Sequence, residues 1–332
     1  MPKKIIKVLI IPAGSGMAVM AIKALKQDKD IIVMSADTDD LAPGLFLSHK
    51  GFLVPPFRDA TFFGRLKQLV KSEKVDVVIP ALDTILLPFS EEAENFEKLG
   101  VRVLVSGPET IKVTRDKWET YLSLRDEIPM PISSIKKERI DIEYPLFIKP
   151  RDGSGSKQAY VVNSHKELEF FYHYVRNPII QEFLPGKEYT VDCLCNMKGE
   201  LVASVPRERI QVRDGICTKG LLVKNIRLER MAMAISKKLK FKGPFLFQAR
   251  EDKLGTAKLT EINARIGGTM FPGSFIKGNF HALAVRLAMG ETIPSPRIRR
   301  GIFVTRYWEE IYMEGKTIET IPDRTYLHTP KS

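Results

Sequence analysis

Glu261, Asn263 and Arg265 fall at every second position of the stretch 259–265, in which apolar and polar residues alternate. A period of two is that of a strand, so the three polar side chains share one face. Just upstream, 244–250 reads as a second strand, and Asp252, Lys253, Leu254 and Gly255 are turn-like, so the spacing predicts a hairpin that brings Gln248 beside Glu261. One carboxylate and two amide oxygens then converge. Such a donor set suits a hard cation, Mg²⁺ or Mn²⁺, that keeps waters and completes its shell with substrate phosphates. A nucleotide is thereby implied. An amphipathic hairpin with a solvated polar face shows the same alternation.

Other residues could serve a nucleotide. Lys149 lies near the end of a short apolar strand, 144–150, which runs through Gly153, Ser154, Gly155 and Ser156 into a second strand, 158–162. Such a loop can close its backbone N–H groups over phosphates while the lysine supplies a point charge, although many hairpins look alike. The stretch 179–184, with Glu182, Phe183 and Leu184 at its end, reads as a strand whose backbone edge could hold an adenine. Glu188, just beyond, could accept from ribose hydroxyls or be solvated. Arg207 and Arg209 share one face of a strand and carry forks that suit phosphate or carboxylate. Arg306 is a third arginine of that kind.

These residues need a scaffold. Strands at 5–11, 31–35, 75–80 and 101–105 alternate with helices at 17–26, 61–71 and 89–98, which predicts an open parallel sheet with helices on both faces. Gly14, Gly16 and Asp37 invite a dinucleotide reading, but Val19 stands where a third small residue is needed. Ligands in such sheets sit beyond the carboxyl ends of strands, where Asp83 is a candidate for substrate contact or for a helix cap. Around residue 110 the pattern shifts: 114–121, containing Lys117, reads as a helix start, 227–239 as an amphipathic helix and 279–290 as a helix ended by Gly290.

With 332 residues the chain has room for two or three domains, and 44% hydrophobic with 28% charged residues describes an ordinary globular protein. No apolar run approaches the roughly 20 residues of a membrane helix. The first residues faintly imitate a signal peptide, but Lys7 interrupts them and they read as a strand. Cys193, Cys195 and Cys217 are too few and wrongly spaced for a zinc site or disulfide framework, which fits a reducing cytoplasm. The net charge of +12 is spread over pairs and triplets without a long basic tract, so neither nucleic acid nor a membrane is expected as partner.

With Lys117, Lys149, the 153–156 loop, Glu182, Glu188, Gln248, Glu261, Asn263 and Arg265 in this order, the chain resembles the ATP-grasp superfamily. Within it, the likeness is to the synthetase domains of carbamoyl-phosphate synthase large subunits and their free-standing carboxylate–amine ligase relatives. The resemblance runs to about residue 290. It implies an α/β chain, α+β in its C-terminal part, with a Rossmann-like domain at 1–112, a linker helix and lid at 113–186, and a metal-bearing subdomain at 187–332. It assigns Lys117 and Lys149 to the nucleotide phosphates, Gly153, Ser154, Gly155 and Ser156 to the lid loop, and Glu182, Phe183 and Leu184 to the adenine. Glu188 goes to the ribose, Gln248, Glu261 and Asn263 to the metal, and Arg265 with Asn263 to the transferring phosphoryl group. Cys217 departs from the pattern, standing where carbamoyl-phosphate synthetases carry a histidine. The expected activity is an ADP-forming ligase that activates an amino acid or small carboxylic acid with Mg-ATP for attack by an amine, with Arg207, Arg209 and Asp83 as substrate contacts. A homodimer is compatible with it. Two other readings are a bicarbonate- or carbamate-phosphorylating enzyme and a non-catalytic ATP sensor on the same fold.

Overall fold

The segment 6–11 is apolar at nearly every position, and a strand apolar on both faces belongs inside a parallel sheet covered on both sides. The computed structural model, which describes residues 5–313 apart from 140, 141, 154, 156, 269, 271–275, 278 and 295, places it there. Strands β1 (Ile6–Ile11), β2 (Ile31–Asp37), β3 (Lys50–Leu53), β4 (Val77–Pro80) and β5 (Arg102–Val103) form one parallel sheet in the order β3-β2-β1-β4-β5. Helices α1 (Gly16–Leu25), α2 (Pro43–Leu47), α3 (Phe62–Glu73) and α4 (Asp83–Glu97) connect its strands, followed by α5 (Pro108–Arg115) and α6 (Lys117–Leu124).

Three local differences from the expected elements have physical causes. The helix expected at 89–98 starts at Asp83 and contains Pro88; the hydrogen bond that Pro88 cannot make is outweighed by burial of Ile85, Leu86 and Phe89. The stretch 114–121 is a junction between helices, because Asp116 is extended and its carboxylate accepts from the Trp118 and Glu119 N–H groups that open α6. The short elements α2 and β3 were not anticipated. They depend on Gly44, where a Cβ would stand 2.5 Å from the Ala13 carbonyl oxygen and 2.8 Å from Ile22 Cδ1. Gly44→Ala should therefore cost about 1–3 kcal/mol of stability through overpacking, read as a lower urea midpoint. An unchanged midpoint would count against that close approach.

A four-stranded antiparallel sheet follows, in the order β6-β9-β7-β8: β6 (Ser133–Ser134), β7 (Leu146–Pro150), β8 (Tyr160–Val162) and β9 (Pro178–Glu182), with α7 (His165–Tyr174) against it. Leu146, Ile148, Val162, Leu168, Val175 and Ile180 give this unit a small core of its own.

The third sheet is antiparallel throughout. It contains β10 (Glu188–Cys195), β11 (Leu201–Arg213), β12 (Ile216–Leu222), β13 (Gly243–Glu251) and β14 (Ala257–Asn263). After α8 (Ile226–Leu239), α9 (Phe280–Ala288) and a small ribbon of β15 (Ile276–Lys277) and β16 (Arg297–Ile298), the edge strand β17 (Phe303–Thr305) completes the order β14-β13-β10-β11-β12-β17. Buried apolar residues of the first sheet, such as Leu9 and Ile11, belong with Phe89 of α4 to one continuous core with Tyr189, Val191, Phe245 and Phe247 of the third sheet and with Leu228 and Ile235 of α8. A second shared core links Val8 and Ile10 to Leu194, Val205, Ile266 and Phe280.

Candidate functional site

In strand β14 an irregularity at Thr260 shifts the register, so that Leu259 pairs with Ala249 and Glu261 stands directly opposite Gln248 on β13. The turn between them carries Gly255 at φ 76°, a left-handed conformation that glycine adopts without strain. Asn263 Nδ2 donates to Glu261 Oε1 at 3.1 Å, and Arg265 Nη2 donates to Asn263 Oδ1 at 3.3 Å. The three residues read as one polar face are therefore joined into one hydrogen-bonded run. Among the described residues no three His, Cys, Asp or Glu side chains cluster as a metal cage would. One carboxylate beside amide oxygens fits a cation that takes most of its remaining ligands from water and phosphate.

Glu261 and Gln248 border a cleft of about 860 Å³ between the second and third sheets, lined also by Lys117, Phe147, Lys149, Gly153, Glu182, Phe183, Leu184 and Glu188. Lys117 Nζ donates to the Gly153 carbonyl at 2.7 Å, tying the start of α6 to the glycine-rich loop. Ser154 and Ser156, expected in that loop, lie outside the described residues. Lys149 Nζ donates to the Thr260 carbonyl at 3.2 Å, across from β7 to β14. Burial, with Lys117 nearby, pushes the Lys149 ammonium down to about 8, against the pull of Glu261 and Glu188. If Lys149 meets nucleotide phosphate, the charged form binds and affinity should weaken as pH rises through 8. Lys149→Met should flatten that dependence in an ATP-binding titration between pH 7 and 9; an unaltered profile would remove Lys149 from the phosphate site.

At the other end of the cleft, both Glu182 oxygens accept from Lys258 Nζ at 2.7 Å, and Phe183 and Leu184 line the space beside them. Glu188 pairs with Arg209 Nε at 2.8 Å. Arg207, expected beside Arg209 as a substrate contact, is fully buried and donates through Nη2 to Asp192 Oδ2 at 3.2 Å. Both arginines thus already hold a carboxylate of β10. Cys217 is buried, its Sγ donating to the Lys219 carbonyl at 3.2 Å.

A second cleft, of about 570 Å³, shares Lys117, Gly153 and Glu261 with the first and extends to Asp83, Thr84, Thr114 and Arg115. Asp83 caps nothing, although it opens α4. Its two oxygens accept from Arg265 Nε and Nη2 at 2.7 Å each, a bidentate pair spanning 182 residues. No local pattern announces this pair, nor Arg250 and Lys157, which also line the first cleft. Asp37 accepts from the N–H groups of Gly14, Thr38 and Asp39, so the dinucleotide reading loses its ribose acceptor. No helix among the described residues is long and apolar enough to cross a membrane.

Two family models match separate parts of the chain: "PylC-like, N-terminal domain" over residues 8–104 and "ATP-grasp in the biosynthetic pathway with Ter operon" over 175–310. A carbamoyl-phosphate synthase of Methanobrevibacter smithii is 24% identical over 259 residues, covering 71% of this chain and 68% of that protein. A D-alanine–D-alanine ligase of Petrotoga mobilis is 32% identical over 137 residues, covering 38% of this chain and 45% of that one. The match thus spans less than half of that ligase. Among solved structures, the ADP complex of N5-carboxyaminoimidazole synthetase from Staphylococcus aureus superposes with a TM-score of 0.72 at 16% identity, over 89% of this chain and 80% of that one. At that identity the likeness speaks for the fold. The order of lysines, oxygen donors and arginine along two adjoining clefts agrees with these matches, which liken the chain to enzymes of the ATP-grasp superfamily, ligases among them.

Proposed function

We propose that this chain joins a small carboxylic acid to an amine, spending ATP to ADP and phosphate. The observation that carries the reading is a pair of adjoining clefts that share Lys117, Gly153 and Glu261: Lys149 and Gln248 line the first, Asn263 lines the second, and Arg265 is bonded to Asn263. Phosphoryl transfer asks a protein chiefly for positioning and charge neutralisation. Lys117 and Lys149 neutralise the nucleotide phosphates, Phe183 and Leu184 offer backbone to the base, and Glu188 accepts from the ribose. Gln248, Glu261 and Asn263 would hold Mg²⁺ or Mn²⁺, which when bound neutralises charge spread over the phosphate oxygens. The substrate carboxylate oxygen attacks the terminal phosphorus, and the bond from that phosphorus to ADP breaks. Arg265 meets the charge that moves with it. The acyl phosphate gives the acid a leaving group, so an amine lone pair can take the acyl carbon while the bond to phosphate breaks and the amine loses a proton. The second sheet, tied to the third through Lys149 and the Glu182–Lys258 pair, keeps water from that intermediate. Both partners are small molecules, and the buried thiols suit the reducing cytoplasm in which we place the protein.

The test is phosphate release from Mg-ATP by the purified chain, with and without pools of amino acids and simple carboxylic acids. Stimulation by a defined pool supports a ligase. ATP binding without stimulation by any pool would favour a nucleotide sensor, and failure to bind ATP would overturn the assignment of the cleft.

A further inference from the structure

Buried polar atoms nearly always have partners, so one without a partner asks for an explanation. Arg207 is 1% exposed and Asp192 2%. One hydrogen bond joins them, yet Arg207 Nε and Nη1 on one side and Asp192 Oδ1 on the other have no partner among the described residues. Leaving charged groups so is costly. The fold makes room for the arrangement: Gly220 faces Arg207, and a Cβ there would come within 3.1 Å of Arg207 Cγ and Cδ.

The neighbours narrow the choice of ligand. Arg306 follows β17, its backbone N–H donating to the Thr218 carbonyl at 3.0 Å. Partial burial, and then the nearby charge of Arg207, lower its pKa, which places two guanidinium groups in one neighbourhood. Across the sheet, Glu261, Gln248, Thr190 and Arg207 stand opposite one another on β14, β13, β10 and β11. Arg207 is thus two strands from Gln248, about 10 Å at the spacing of a sheet. Gly267 lies against Asp192 Oδ1, and Gly268 against Met17 in the first turn of α1, so the group faces the side on which the first sheet packs.

A simple anion would satisfy the arginines and be repelled by the free Asp192 oxygen; a simple cation would do the reverse. A zwitterion answers both. We propose that Arg207, Arg306 and Asp192 seat an α-amino acid, its carboxylate on the two guanidinium groups and its ammonium on Asp192 Oδ1. As a substrate subsite this rests on the ligase reading above; as a binding site it does not. An ammonium held by a carboxylate has no free lone pair, so the amino acid seated here enters the reaction as the acid partner.

The experiment is calorimetric titration of the full chain with each of the twenty common amino acids, with Mg²⁺ and a non-hydrolysable ATP analogue and again without nucleotide. The best binder is then compared with its des-amino acid and its decarboxylated amine. Loss of either charged group is expected to weaken binding at least tenfold. Arg306→Ala should erase the discrimination against the amine, and Asp192→Asn that against the des-amino acid, in samples whose melting and nucleotide binding match the parent. Equal binding of the des-amino acid or of inorganic phosphate overturns the proposal. So does absence of binding by all twenty in protein that binds the nucleotide, a bridging water then being the partner of the orphaned atoms. Amino-acid binding without any ATP turnover would keep the subsite and sink the ligase.

Discussion

Glu261→Gln is expected to lower substrate-stimulated phosphate release by roughly 10²–10³, the scale of losing one preorganised electrostatic partner in a phosphoryl-transfer site. Glu261 is the carboxylate paired with Gln248 and bonded to Asn263, and the substitution keeps its shape while removing its charge. The side chain faces the cleft rather than a core, so melting should scarcely change. The effect should show mainly in kcat and in a raised requirement for Mg²⁺. A well-folded variant with near-normal turnover would dismiss the metal assignment, whereas loss of ATP binding with an unaltered Mg²⁺ requirement would move Glu261 to the nucleotide.

Arg265→Lys should be as damaging, with kcat lower by about 10³, because arginines that meet a transferring phosphoryl group act through a planar fork that lysine lacks. Arg265 already uses that fork on Asp83 and reaches Asn263 as well, which fixes its position from both sides of the cleft. Asp83→Asn separates the roles. If Asp83 only positions Arg265, its variant should lose activity in kcat by about tenfold, about 1.4 kcal/mol, with KM for the acid unchanged. A rise in KM instead would show Asp83 touching substrate, as its sequence position first suggested. If Arg265→Lys leaves kcat unchanged, the phosphoryl group is stabilised elsewhere.

How far such residues could be read beforehand depended on whether their partners were local. The hairpin was legible from a period of two and a tight turn, but a register counted from that turn sets Thr260 opposite Gln248; the bulge that brings Glu261 there was not legible. The central strands of the first sheet were legible because continuous apolar runs have few other uses. The Asp83–Arg265 pair was not, since its members are brought together only when the first sheet docks on the third. Arg207 and Arg209 mark a different limit. Alternation correctly put both on one face, but a strand alone does not say what stands across from it. Arg209 turned out to hold Glu188, and Arg207 to share Asp192 while keeping two donors in reserve. The split of 114–121 into two helices hinged on one extended residue, Asp116, which also binds Arg151 at the mouth of the loop.

The division of the apolar interior has a consequence for how the molecule comes apart. The first and third sheets share their cores and should melt as one cooperative unit, so a fragment ending near residue 110 would expose surface that the whole chain hides. The second sheet closes around six buried residues of its own. Its polar ties to the rest run to β14 and to the start of α6, so its opening would leave the main interior closed. In hydrogen exchange, the amides of β7 and β9 should open at a lower free energy than those of β1 and β10, and bound nucleotide should slow the first pair far more than the second. On the proposed ligase reading, the part that would close over the nucleotide is the part that folding left thermodynamically on its own.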